Sequence, residues 1–159
     1  MAVLVGRKAP HFSSGAVING EEIVENFSLD QYLGKNHVIL FFYPKDNTSG
    51  CTLESKSFTS LKKEYEEIGY TIIGCSRDSV KSHKNFIQKQ ELDLLLLSDN
   101  EEKLVTAFDV LKEKSMYGKT YMGIVRSTFV LDEFIRLGRM DLISDLPSVS
   151  RGYKLNFIF

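Results

Sequence analysis

The sequence predicts an α/β domain, with strands in a central layer and helices packed outside it. Three observations carry this. The apolar runs "HVILFFYP" (37–44), "YTIIGCS" (70–76) and "LDLLLLSD" (92–99) fit strands buried on both faces. Charged segments with apolar residues at helical spacing separate them. The 159 residues, 43% hydrophobic and 26% charged, contain no repeat or low-complexity linker, so one domain over 1–159 with a single core is expected.

Element by element, "GAVINGEEIV" sets Asn19-Gly20 between short apolar stretches, an N-terminal hairpin with a type I′ turn. "SLDQYLG" follows, with Ser28 and Gln31 in capping-box spacing and Gly34 as a stop, a short helix. Pro44 ends the first buried strand. From Thr48 to Ile68, Phe58, Leu61, Tyr65 and Ile68 recur on one helical face, and Gly69 closes that helix. After strand 70–76, residues 78–90 read as a helix capped by Asp78 or Ser79. After the third run, 100–114 read as a helix capped by Asp99 or Asn100. "GIVRSTFVLD" (123–132) reads as one further strand.

Charge and composition narrow the function. A net charge of −1 argues against nucleic acid as a partner and against an electrostatic membrane anchor. No apolar run approaches the roughly 18–20 residues of a membrane span, and the first residues lack the h-region of a secretory signal, so cytoplasmic work is expected. Two cysteines do not make a disulfide scaffold. His11, His37 and His83 are scattered, which predicts no metal site. No Cys-x-x-Cys pair and no phosphate-binding glycine motif is present.

Cys51 is the residue that demands explanation. It lies in "YPKDNTSGCT" (43–52), where a buried strand gives way to a helix. Sheets of this kind collect their sites at the C-terminal ends of strands. A free thiol titrates at about 8.5, so about 3% is thiolate at pH 7. Lowering that value to about 6 requires roughly 3.4 kcal/mol of differential stabilisation. A helix N-terminus supplies about 0.3–1 kcal/mol, at best about 2, so a nearby guanidinium is also needed. Thr48, three residues earlier, can place its hydroxyl on the sulfur's side, and the amides of Gly50 and Cys51 are free at a helix start. Such a pocket suits attack on an O–O bond whose leaving oxygen becomes negative. An inert first-turn cysteine behind a capping Thr48 or Ser49 fits the spacing equally well.

"YPKDNTSGCTLE" resembles the peroxiredoxin pattern Pro-x-x-x-Thr-x-x-Cys at Pro44, Thr48 and Cys51, in the form found in the bacterioferritin comigratory protein or peroxiredoxin Q branch. "VGRKAPHF", "IIGCSRDSVKSHKNF", "LLSDNEEKLVTAFDV" and "EKSMYGKTYMGIVRSTFVLD" extend the likeness over roughly residues 4–132. The resemblance implies a thioredoxin-like fold, a central mixed sheet flanked by helices, and a cofactor-free thiol peroxidase for hydrogen peroxide and organic hydroperoxides. It implies Cys51 as the peroxidatic cysteine that becomes a sulfenic acid. Thr48 would bond sulfur and peroxide, Arg126 would stabilise the thiolate and transition state, Pro44 would shield the site, and Glu54 would orient Arg126.

The chain departs from the pattern in two places. Positions where relatives carry a resolving cysteine hold Lys56 and Ile87. Cys75 remains as a candidate resolving residue, against the plainer reading of a core thiol. A one-cysteine cycle is therefore favoured, reduced by an external thiol such as thioredoxin, glutaredoxin or glutathione. From about residue 133, "EFIRLGRMDLISDLPSVSRGYKLNFIF" lacks the clean stripe of the family's last helix, which would expose an apolar sheet face. A monomer or weak homodimer is expected. The competing reading is a non-catalytic thioredoxin-like module, redox-sensing or chaperone-like, separated from the enzyme by peroxide turnover that depends on Cys51.

Overall fold

The computed structural model describes residues 13–28 and 37–131, and the backbone of 154–158. β1 (Ser13–Ile18) and β2 (Glu22–Ser28) form the expected antiparallel hairpin. Asn19 (φ 50°) and Gly20 (φ 83°) both occupy the left-handed region that a type I′ turn requires. Ser28 ends β2, and the rest of the expected 28–34 helix lies outside the described residues.

β3 (His37–Phe42), α1 (Ser49–Glu67), β4 (Tyr70–Ser76), α2 (Val80–Gln90) and β5 (Leu95–Ser98) follow in the expected order. β4 pairs in parallel with β3 and with β5, so α1 and α2 are the crossovers that parallel pairing needs. Ser79 caps α2, its hydroxyl accepting from the Ser82 amide at 3.1 Å.

Two expectations fail after Asp99. The helix read over 100–114 is only α3 (Lys103–Ala107). Asp99 does serve its start, accepting from the Lys103 and Val105 amides at 3.0 and 2.8 Å. Asp109 (φ 55°) then turns the chain, and β6 (Leu111–Met116) and β7 (Lys119–Ile124) form a two-stranded ribbon. Most ribbon residues are exposed, so no alternating apolar pattern marks them, and the lysines and glutamate of "LKEK" pass for a helical surface. The single strand read over 123–132 is also two. β7 ends at Ile124 and β8 (Ser127–Leu131) begins after a joint of Val125 and Arg126.

The main sheet runs β2-β1-β5-β4-β3-β8-β9, with β9 (Lys154–Ile158) parallel to β8. β8 and β1 are antiparallel to their central neighbours, so the sheet is mixed. A last strand thus follows the departure at 133, whereas the expected loss of a covering helix concerns 132–153, outside the described residues.

Alternating strand positions feed two separate apolar layers. Ile39, Phe41, Ile72 and Leu96 pack with Phe58 of α1 and Phe86 of α2. Phe41 stacks on Phe58 with ring centroids 4.4 Å apart. Truncating such a buried ring costs about 3–5 kcal/mol, so this contact seats α1 firmly on the sheet. Leu40, Phe42, Ile73 and Leu97 face the other way, against Leu104 and Phe108. Cys51 belongs to the first layer and Cys75 to the second.

Candidate active site

Beyond β3, the Tyr43 amide still donates to the Cys75 carbonyl at 3.1 Å, but half-buried Pro44 has no N–H and ends the ladder. A short loop leads to Thr48, the N-cap of α1 in extended conformation (φ −94°, ψ 154°). The amides of Ser49, Gly50 and Cys51 precede the first intrahelical bond, Thr52 N to Thr48 O at 2.9 Å. The Thr48 side chain caps none of them. Its hydroxyl donates instead to the Lys45 carbonyl at 2.8 Å, which leaves the oxygen's lone pairs to accept.

Arg126 reaches the same turn from the joint between β7 and β8. Its Nη2 donates to Cys51 Sγ at 3.1 Å and its Nη1 to Glu54 Oε1 at 2.8 Å. Cys51 is 1% exposed and Glu54 fully buried. A carboxylate buried so deeply costs several kcal/mol unless paired, so Glu54 and Arg126 hold each other in place. Burial works against the Arg126 charge, yet Glu54 and the Cys51 sulfur together keep its pKa above the ordinary arginine value. A Cβ at Gly50 would stand 3.3 Å from Nη2, so the missing side chain there leaves room for the guanidinium. Of the residues singled out from sequence, Cys51, Gly50, Glu54 and Arg126 come together, with Thr48 at the N-cap of the same helix and Pro44 in the loop before it.

Lys114 was hidden by the mistaken helix. From β6 its stem crosses Gly123, where a Cβ would lie 2.9 Å from Lys114 Cδ, and its Nζ donates to the Ile124 carbonyl. Burial, then the charges of Arg126 and Arg77, hold its pKa below the usual lysine value against the pull of Cys51. Arg77 braces the same strand by donating to the Met122 carbonyl at 3.0 Å. The segment that delivers Arg126 is therefore tied down by two cations.

Cys75 lies elsewhere. It pairs in register with Phe42 on one side and Leu97 on the other, fully buried, and burial followed by the nearby Asp99 pushes its pKa well above the usual thiol value. The two thiols therefore belong to apolar layers on opposite sides of the sheet. His83, read from sequence as isolated, lies with Asp46 and Asp78, their ligand-type atoms within 4.8 Å of one another. These atoms are engaged with each other and with neighbouring protein groups rather than left open for a cation.

A cysteine sulfur bonded to a guanidinium at a helix start, on a mixed sheet of thioredoxin-like architecture, defines an enzyme of thiol redox chemistry. The chain belongs to the AhpC/TSA family, whose model matches residues 5–137, and it is a peroxiredoxin, a thiol peroxidase. It is 44% identical over 137 residues to peroxiredoxin Bcp of Bacillus subtilis, covering 86% of this chain and 83% of that protein. It is 54% identical over 94 residues to peroxiredoxin Bcp of Xanthomonas campestris, spanning 59% of each. Among solved structures, a Xylella fastidiosa PrxQ mutant matches with a TM-score of 0.72 and 38% identity, over 83% of this chain and 80% of that one. A Xanthomonas campestris bacterioferritin comigratory protein, studied for its alkyl peroxide reduction activity, matches with a TM-score of 0.65 and 44% identity over 74% of this chain and 73% of that one. Among the described residues, no helix is long and apolar enough to cross a membrane.

Proposed function

We propose that the protein is a one-cysteine peroxidase that reduces hydrogen peroxide and organic hydroperoxides, alkyl peroxides included, at the expense of an external thiol. The Cys51–Arg126 hydrogen bond of 3.1 Å carries this reading. A guanidinium can only donate, so it favours the anionic sulfur as acceptor. The thiolate attacks the oxygen of ROOH distal to R, the O–O bond breaks, and the departing RO⁻ takes a proton to leave as ROH. Cys51 is left as sulfenic acid. The N–H groups of Arg126 and of the first helical turn are the donors for charge that develops on the leaving oxygen. Thr48, its own proton committed to Lys45, accepts the peroxide's O–H and orients it. Pro44 narrows the approach, and Glu54 keeps the guanidinium aimed.

Regeneration needs a second thiol. An incoming thiol condenses with the sulfenic acid, releasing water and forming a mixed disulfide. A further thiol then frees Cys51. Lys56, Ile87 and the placement of Cys75 behind the sheet support an external donor such as thioredoxin, glutaredoxin or glutathione. We place this activity in the cytoplasm, in a single-domain monomer or weak homodimer that needs no cofactor.

The test is intact mass after one equivalent of peroxide is added to fully reduced protein, followed by alkylation of the denatured chain. One added oxygen with one thiol still alkylated is expected. Loss of two hydrogens would replace the one-cysteine cycle with a Cys51–Cys75 disulfide, and two alkylated thiols would end the peroxidase reading.

A further inference from the structure

We propose that Asp46 and His83 form a buried clasp that positions the loop leading into Thr48 and the helix start at Cys51, and so sets the rate with peroxide without touching it. The rate claim rests on the peroxidase reading above; the claim about the loop does not. Asp46 stands between β3 and α1, two residues before Thr48, and is 5% exposed, whereas His83 on α2 is fully buried. His83 Nδ1 lies 2.8 Å from Asp46 Oδ2, and Nε2 lies 2.8 Å from the Leu97 carbonyl. A carbonyl only accepts, so Nε2 carries a proton, and a second proton must lie between Nδ1 and the Asp46 carboxylate.

The rest of the cage converges on the same carboxylate. The Tyr43 hydroxyl donates to Asp46 Oδ1 at 2.7 Å and the Ser82 hydroxyl to Oδ2 at 2.8 Å. The Asp46 amide donates to Asp78 Oδ2 at 2.9 Å, and that oxygen also takes the Ser76 hydroxyl at 2.6 Å. One loop residue is thereby tied to the end of β3, the end of β4, α2 and, through His83, β5. None of these bonds reaches Cys51, whose own partner Arg126 arrives on a different segment. The clasp therefore controls where the helix start sits, while Arg126 supplies the hydrogen-bond donor that meets the sulfur.

This separation makes the proposal testable. In Asp46→Ala and His83→Ala, peroxide reactivity is expected to fall tenfold or more, while alkylation of Cys51 by iodoacetamide stays within about threefold of wild type. Amide exchange of a peptide covering 44–53, followed by mass spectrometry, should quicken in both. In Asp46→Asn, the amide can donate to Nδ1 of a neutral His83 and accept from Tyr43, so rate and exchange should stay near wild type. Should the alanine variants not fold, Tyr43→Phe and Ser82→Ala each remove one tie and are expected to quicken exchange by smaller steps. Unchanged exchange at 44–53, or a parallel fall of the peroxide and iodoacetamide rates, would overturn the clasp. A wild-type protein inert to peroxide would remove the peroxidase reading, with the exchange measurement still deciding the clasp.

Discussion

Cys51 and Cys75 are almost equally hidden, at 1% and 0% exposure, yet they lie in opposite electrostatic surroundings. Cys51 lies at a helix start against a guanidinium that is itself held by a buried carboxylate. Cys75 lies near the end of β4 between Phe42 and Leu97, and the charge that acts on it, Asp99, has the wrong sign for a thiolate. Burial therefore does not separate the two thiols. The sign of the neighbouring charge and the donors of a helix start do.

The sharpest way to break this contrast is to exchange the thiols for unreactive residues. Cys51→Ser should reduce thiol-dependent peroxide consumption to background, while Cys75→Ala stays within about threefold of wild type, since a buried core residue touches no reacting atom. Stopped-flow peroxide assays would show it, and equal losses in the two variants would erase the distinction. Removing the charge comes next. Arg126→Ala should slow the peroxide reaction by about 10²–10³-fold, as loss of a preorganised donor does elsewhere. It should also lower stability by about 3–5 kcal/mol in urea titration, because the fully buried Glu54 carboxylate loses its guanidinium partner. Arg126→Ala combined with Glu54→Gln should recover much of that stability and none of the rate.

A subtler difference appears in alkaline solution. The folded chain raises the Cys75 pKa, so above about pH 8.5 the unfolded chain loses this proton while the folded one keeps it. Fewer protons on the unfolded state mean that stability falls as pH rises, by up to about 1.4 kcal/mol per unit for one such group. Buried Tyr43, its pKa also raised, adds the same trend above about pH 10. Urea titrations from pH 8 to 10 should therefore fall less steeply for Cys75→Ala than for wild type. The smallest effect concerns the approach to the sulfur. Thr48→Val should lose the hydrogen bond to the Lys45 carbonyl and with it about 1 kcal/mol of stability, and Thr48→Ser should retain both. Identical melting of the two variants would remove the hydroxyl from the account.

Much of this contrast is legible in the residues alone. The hairpin at Asn19-Gly20, the alternation from β3 to β5 and the helix start at Thr48 each carry a local signal of turn chemistry, period or cap. Cys51, Gly50 and Glu54 are local too, because three or four residues bring them onto one turn. Arg126 is legible only through the resemblance of its segment to a family pattern, since nothing local ties residue 126 to residue 51. The ribbon of β6 and β7 escaped because its faces are largely exposed, and with it went Lys114. The Asp46–His83 clasp escaped for a related reason: each partner is unremarkable in its own segment, and only the packing of α2 on the sheet makes them meet.

The span between Cys51 and its guanidinium has a consequence for how the protein is made. The two partners lie 75 positions apart in the chain. At ~5–20 residues per second, the ribosome adds Arg126 roughly 4–15 s after Cys51. Throughout that interval the nascent thiol lacks the Arg126 guanidinium. Whatever this pair contributes therefore waits until β8 docks beside β3, and a chain truncated before residue 126 goes without it.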